Sequence, residues 1–265
     1  ILDMHNILWK SFEAQLESKK YLPKFIINHF LNQYKIEEEK AWKEFNALIT
    51  INRIEDEYVS KLGTKTIYIP MGIEMSKWSS QRSYNKTKKV GYYGGMSSLH
   101  NQRDALVCYN SIMPKVWEIS SDTEFWIIGS NPPKSIINLS KEDKRVYVTG
   151  YIKDVKSILK DMSVIICPWQ GLYGFRSRII EIMAMSIPIV TSEEAVAGMD
   201  IVGNTKGVVT AKDFDDYASK INNLLSNKKL NRHYGSENKN FATKNYDFKN
   251  TYFHLPNSLL KIINN

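Results

Sequence analysis

Cysteine is nearly absent from this sequence: Cys108 and Cys167 are the only two in 265 residues, far apart and each set in apolar surroundings. That excludes a disulfide framework and leads us to expect two buried thiols in a reducing, cytoplasmic compartment. Long apolar runs are missing too. The longest, such as Val164-Ile165-Ile166-Cys167, stop far short of the roughly 20 residues that a membrane-spanning helix needs. Histidine is sparse, with His5, His29, His100, His233 and His254 scattered along the chain and no paired cysteine spacing, so no metal site is expected. There is no Gly-Lys-Ser/Thr phosphate loop and no Gly-x-Ser-x-Gly elbow. The glycines of Gly91-Tyr92-Tyr93-Gly94-Gly95 do not have dinucleotide-fingerprint spacing. An initiator methionine is lacking as well. Ile1-Leu2-Asp3-Met4-His5-Asn6 reads as the end of a strand already in progress, and residues upstream of Ile1 are expected to be missing.

What is present is a core-forming composition, 43% hydrophobic and 12% aromatic, which excludes disorder as the main state. Lys and Arg number 36 against 28 Asp and Glu, for a formal net charge of +8. The basic residues near the end, Lys228, Lys229, Arg232, Lys239, Lys244 and Lys249, are spread along helical segments with Glu237 and Asp247 among them. This is the pattern of a solvated face, with peripheral contact to an anionic membrane as the second reading, and no nucleic-acid module is recognisable.

Apolar residues at three- and four-residue steps from Lys24 to Phe45 predict a long amphipathic helix. A strand over 47–51, a helix over 54–62 and a strand over 66–70 follow. Residues 76–89 are polar, basic and without apolar period, and read as a linker between domains. Beyond them, short apolar strands are expected at 90–93, 125–128, 146–149, 164–167, 188–191 and 207–210. Helices are expected at 103–117, 155–159, 178–185, 214–225, 230–241 and 258–263. Such alternation implies an α/β fold with a doubly wound parallel sheet and ligands at the carboxyl ends of its strands. Asp213-Phe214-Asp215, which superficially matches a metal-binding carboxylate pair, stands at a helix start, where N-capping is the better reading.

The stretch from Pro168 to Val190 runs from a strand end through a glycine-containing loop into a helix and another strand. Loop amides, a helix N-terminus and the cations Arg176 and Arg178 make an anion site suited to a diphosphate. Arg178 and Glu181, three residues apart, share one helical face and put a carboxylate one turn beyond that site. Spacing alone leaves a simple surface ion pair equally open.

This segment resembles the donor-site signature of glycosyltransferase family 4, the retaining GT-B enzymes, read as Gly-x-Arg-x-Lys/Arg-x-x-Glu-x-Met-Ala-x-Gly-x-Pro-x-Val. Gly174, Arg176, Arg178, Glu181, Met183, Ala184, Pro188 and Val190 fall on the pattern. The segment 90–101 is similar to the family's glycine loop, 125–129 to its second-strand motif and 148–152 to the stretch that meets the base. Residues 49–52 and 69–73 resemble the end of its N-terminal domain. The resemblance implies a GT-B fold: residues 1–75 the last part of an N-terminal Rossmann-like domain, 76–89 a linker, 90–247 the nucleotide-sugar domain and 248–265 a helix returning toward the first.

By the same resemblance, the chain is expected to transfer a sugar with retention from a UDP- or GDP-linked donor to a glycan or lipid-linked acceptor, in envelope or polysaccharide assembly, with no metal or other cofactor. The donor site would comprise Gly94, Gly95, Gly129, Tyr151, Ile152, Tyr173, Gly174, Phe175, Arg176, Arg178 and Glu181. Arg176 and Arg178 would steady the leaving diphosphate, Glu181 grip the ribose and His5 approach the sugar, though a structural histidine at a strand end is an equal reading for His5. One departure stands out: many members carry an acid eight positions before Glu181, where this chain has Tyr173. A second class therefore stays open, a non-catalytic nucleotide-sugar-binding or scaffolding subunit, and a third is another GT-B activity such as epimerisation.

Overall fold

The computed structural model describes residues 1–17, 23–78, 82–83 and 87–263. It contains two parallel sheets, and the smaller is built from the first third of the chain. Strands β1 (Leu2–Met4), β2 (Leu48–Thr50) and β3 (Thr66–Tyr68) lie in the order β1-β2-β3, with Leu2 beside Leu48 and Leu48 beside Thr66. Parallel neighbours need crossovers. Helices α1 (Leu8–Glu17) and α2 (Lys24–Trp42) provide the first, and α3 (Arg53–Lys61) the second. Met4, Ile7, Trp9, Trp42, Leu48 and Val59 are buried together between sheet and helices. Helix α1 was not expected from the sequence. Its first amides, Leu8 and Trp9, donate to the Glu38 carboxylate of α2 at 2.8 and 2.7 Å, so its N-terminal cap comes from 30 residues away and leaves no local signal.

The larger sheet has six strands, all parallel, in the order β6-β5-β4-β7-β8-β9. They are β4 (Lys89–Tyr93), β5 (Glu124–Ile128), β6 (Val146–Val148), β7 (Val164–Cys167), β8 (Ile189–Thr191) and β9 (Val208–Thr210). Each falls within a residue or two of the apolar run that predicts it. Val164 to Cys167 is fully buried on both faces, as a central parallel strand must be. Chain order runs outward from β4 to β6 and then returns to β7 on its other side. The switch point of the sheet is therefore the gap between the carboxyl ends of β4 and β7, where open α/β sheets bind ligands.

Around this sheet lie α5 (Leu99–Val107), α6 (Met113–Ile119), α7 (Lys134–Glu142), α8 (Lys156–Leu159), α9 (Ser177–Ala184), α10 (Phe214–Ser226) and α11 (Lys228–Tyr246), after the short α4 (Met75–Trp78). The single helix expected at 103–117 is instead α5 and α6 joined by a π-turn at Cys108–Ile112. Pro114 explains the break, because it offers no N–H to the carbonyl four residues back and its ring crowds that turn. Helix α7 was not expected. It hides behind Pro132-Pro133, and only Ile136 and Leu139 of it are buried. The N-cap reading of Asp213 holds, its carboxylate accepting the Asp216 N–H at 2.8 Å. Helices α12 (Phe248–Tyr252) and α13 (Leu255–Ile263) end the described chain. The path through Asp247 pairs with Ile73, and Phe248 N–H donates to Ile73 C=O at 2.8 Å.

Of the expected linker, residues 79–81 and 84–86 lie outside the described residues, as do 264–265 at the end. Arg82 within that stretch is buried. Its guanidinium donates to the carbonyls of Met162, Ser163 and Ser186 at 2.7–3.2 Å, tying the approach to β4 onto the turn before β7 and the turn before β8. Truncation would leave three carbonyls without their cationic donor. Arg82→Ala should lower unfolding free energy by about 2–4 kcal/mol, read as a shifted urea midpoint with unchanged slope.

Candidate donor-side site

The carboxyl ends of β4, β5, β6 and β7 deliver the loops that begin at Gly94, Gly129, Thr149 and Pro168 to one edge of the large sheet. At the β4 and β5 ends the backbones approach closely. Gly94 N–H donates to Ile128 C=O at 2.9 Å and Met96 N–H to Ser130 C=O at 2.8 Å. A side chain on Gly129 would collide with the Gly94 carbonyl, and one on Gly94 with the Arg178 guanidinium. Both positions are glycine because their Cβ space is already filled by backbone or by an arginine.

Arg178 of α9 occupies that space. One terminal nitrogen donates to Tyr93 C=O at 2.8 Å and the other to the Asn101 side-chain oxygen at 3.2 Å, while the guanidinium plane lies 4.3 Å from the Trp169 ring centroid. Asn101 in turn donates to Gly95 C=O at 2.7 Å and accepts from the Tyr92 hydroxyl at 3.1 Å. The cation is thus anchored to the glycine loop by a fork and a stacked indole, a use that lysine could not reproduce. Arg176 does not join it. Its guanidinium turns the other way and donates to the carbonyls of Gln170, Gly171, Glu194 and Ala195 at 2.7–3.3 Å. The expected pair of phosphate-facing cations is therefore separated: Arg178 lies on the glycine loop, and Arg176 folds its own loop.

Glu181, one turn along α9, lies by the Tyr93 side chain, and burial holds its carboxyl above the ordinary carboxylate range. Its second oxygen is buried without a hydrogen-bond partner. An acceptor in that condition is costly unless something donates to it. Tyr93 also lines a cavity of about 270 Å³, together with Gly95, Gly129, Ser130, Tyr151 and Ile152, among others. Four of the expected donor residues, Gly95, Gly129, Tyr151 and Ile152, therefore meet in one place. Tyr151 is 77% exposed, a free aromatic face at the cavity mouth.

On the other side of the cleft, His5 follows β1, is exposed, and faces Asp3 at 3.2 Å. Its neighbour Asn6 reaches the 170–176 loop, where a Cβ on Gly174 would sit 3.9 Å from the Asn6 amide nitrogen. Tyr173 packs against the small-sheet core, with Lys10 Nζ 5.7 Å from its ring centroid. Phe175 packs on the large-sheet side, 5.9 Å from Tyr246. Gly174, at φ +81°, is the left-handed corner between them.

Besides the Ile73–Asp247 bridge and Tyr173, the two sheets meet through α3. Asn52 caps that helix by accepting the Ile54 N–H at 2.8 Å, and its amide donates to Gly174 C=O at 3.0 Å and Ala197 C=O at 2.9 Å. The Arg53 N–H donates to Gly198 C=O and its side chain pairs with Asp200, each at 2.9 Å. Glu55, fully buried, accepts the Gly174 N–H at 2.7 Å, and its second oxygen is buried without a hydrogen-bond partner. In sequence, Asn52-x-x-Glu55 is a capping box that should close on itself. Here the carboxylate leaves its own helix for the other sheet, a long-range use that spacing does not reveal. Asn101 and Trp169 were missed for the same reason. Among the described residues no group of His, Cys, Asp or Glu is arranged to hold a metal, and no helix is long and apolar enough to cross a membrane.

Burial pushes the Glu55 carboxyl up to about 7, with Glu38 nearby adding to the effect and the Gly174 N–H opposing it. Between its ordinary range and that value the folded chain binds a proton that the unfolded chain has released. Glu55's contribution to stability is therefore present in acid and lost as pH rises through about 7, on the order of 1–3 kcal/mol. Urea midpoints at pH 5 and pH 8 should differ by that much more in the native chain than in Glu55→Gln.

Residues 87–227, just over half of the chain, match the family model described as glycosyl transferases group 1. No curated protein matches the chain. Among solved structures it is similar to a sucrose-phosphate synthase from Thermosynechococcus elongatus (TM-score 0.70, 16% identity, 88% of this chain and 62% of that one). It is also similar to an S. aureus TarM variant in complex with fondaparinux, α-GlcNAc-glycerol and UDP (0.68, 19%, 88% and 47%). HepE of Anabaena in complex with UDP is a third (0.69, 13%, 98% and 71%). The chain spans about half of TarM and less than two thirds of the synthase. At these identities the likeness is one of fold.

Proposed function

The chain belongs to the group 1 glycosyl transferases, and from that membership we propose that the cleft at the β4–β7 switch point binds the nucleotide-sugar donor of a retaining glycosyltransferase. The observation that carries the proposal is the meeting at Tyr93, at the carboxyl end of β4, of three features: a cavity that Tyr93 lines, an arginine anchored on its carbonyl, and beside its side chain Glu181, whose second carboxylate oxygen is buried and unpartnered. In this reading the base lies against Tyr151 and Ile152, and the ribose hydroxyls donate to Glu181. The diphosphate rests over the glycine loop, Arg178 and the first amides of α9.

Departure of the nucleotide diphosphate places negative charge on its terminal phosphate. Arg178, already fixed by Tyr93, Asn101 and Trp169, would meet that charge without rearranging, which is the condition for electrostatic stabilisation of a transition state. Arg176 serves by holding residues 170–171 against 194–195, keeping the loop in shape. His5 stands at the end of β1, on the acceptor side of Gly174. The acceptor is a glycan or a lipid-linked molecule, and no bound cofactor takes part. A second reading, nucleotide-sugar binding without transfer, draws on Tyr173, whose ring packs into the small-sheet core at the position where the family resemblance places an acid.

UDP, present in the TarM and HepE structures, is the first nucleotide to test. Calorimetric titration with UDP, GDP and ADP should show selective binding of one of them. Arg178→Ala and Glu181→Ala should each weaken it by about 10- to 100-fold, the scale of a lost hydrogen bond to a charged group. No binding by the folded chain, or binding that both variants leave intact, would remove the donor site from this cleft.

A further inference from the structure

The donor-side loop turns at Gly174, and neither polar group of that residue is left to the loop itself. Its N–H goes to Glu55 at 2.7 Å and its C=O receives the Asn52 amide at 3.0 Å. Both partners stand in the first turn of α3, which belongs to the small sheet, more than 115 residues away in sequence. The same stretch of chain reaches further. Asn52 also holds Ala197 C=O at 2.9 Å, and Arg53 between them holds Gly198 C=O and Asp200, each at 2.9 Å. One turn of helix thereby fixes the 170–176 loop and the 197–200 loop against each other.

The grip has a directional consequence. In a trans peptide the C=O and the following N–H point in opposite directions, and the chain has no cis peptide bonds among the described residues. Since Gly174 C=O is aimed at Asn52, the Phe175 N–H must be aimed away from α3. Glu55 in the same way sets the Tyr173–Gly174 peptide by its N–H. Residues 175–177 lead directly into α9, whose first amides form the anionic end of the donor cleft in the reading above. We propose that Asn52 and Glu55 are positioning residues for the donor: they do not touch it, but orient the Gly174 peptides so that the Phe175 amide is presented to the diphosphate. The inference rests on the donor-site reading and adds to it a requirement from the other sheet.

Ordinary structural support is a rival explanation, because both residues are buried, and the variants are chosen to separate the two. Asn52→Asp keeps an oxygen to cap Ile54 but removes the amide that holds Gly174 and Ala197. Glu55→Ala removes the acceptor for Gly174 N–H, and Glu55→Gln restores a neutral one. Val59→Ala opens a cavity in the same helix, at a fully buried residue of the small-sheet core. UDP is the probe, titrated calorimetrically into the whole chain, with folding of each variant verified by circular dichroism.

Asn52→Asp and Glu55→Ala should each weaken UDP binding by about tenfold, as expected when a ligand-facing group loses its preset orientation. Glu55→Gln and Val59→Ala should stay within about threefold of the native chain, since the first keeps a hydrogen-bond acceptor and the second only destabilises. Binding by Asn52→Asp and Glu55→Ala within about twofold of native would overturn the inference. So would an equal loss in Val59→Ala, or a Glu55→Gln variant no better than Glu55→Ala. A folded native chain that binds none of UDP, GDP and ADP would instead overturn the donor-site reading itself.

Discussion

Everything at the candidate site depends on the near-contact between the backbones that leave β4 and β5. Gly94 lies against Gly129 with no room for a side chain on either, and the volume that a Cβ would claim at Gly94 is given to the Arg178 guanidinium. The arginine, half-buried there, is held by three neutral partners: Tyr93 C=O, the Asn101 side-chain oxygen and the face of Trp169. A cation held in that way is already oriented and partly desolvated before any ligand arrives. The glycine loop and the arginine are therefore one device: the glycines make the hole, and the arginine is the only charge that fits it with both forks satisfied.

Parallel architecture explains why so many of the pertinent residues meet. Each β-strand of the large sheet ends on the same side, so each loop that follows contributes something there: a glycine turn after β4, Gly129 after β5, Tyr151 after β6 and the long Pro168–Arg176 loop after β7. The helix that follows β7 contributes Arg178 and Glu181 from successive turns of one face. The small sheet adds the fourth wall through α3 and the β1 end. The strand interiors serve mainly the core, Val164 to Cys167 most completely.

Much of this was legible in the sequence, and the part that was not has a common character. The six strands of the large sheet announced themselves because a strand buried on both faces must be a short unbroken apolar run, as in Val164 to Cys167. The loop-helix signature around Gly174, Arg178 and Glu181 was legible because its elements are adjacent in sequence. Helix α1 was not, since its cap is Glu38 on another helix. The partners of Arg176 and Arg178 were interchangeable on paper, both being arginines two residues apart at a helix start. Only the fold decides that one reaches β4 and the other the 194–195 carbonyls. Asn52 and Glu55 carried no signal in the sequence beyond the start of a helix, because their partner Gly174 lies over a hundred residues downstream.

The chemistry of the joint between the two sheets bears on how the molecule would respond to heat. What crosses it through α3 is mainly amide, carboxylate and guanidinium bonded to carbonyls and N–H groups, from Asn52, Arg53 and Glu55 to Gly174, Ala197, Gly198 and Asp200. Hydrating polar groups of that kind lowers the heat capacity, whereas exposing apolar surface raises it. Parting the sheets at this seam would therefore register as a transition with a small heat-capacity increment, its apolar share coming from Tyr173 as it leaves the small-sheet core. The large increment belongs to the later loss of the two apolar cores, so calorimetry can tell a molecule that has come apart at its seam from one that has unfolded.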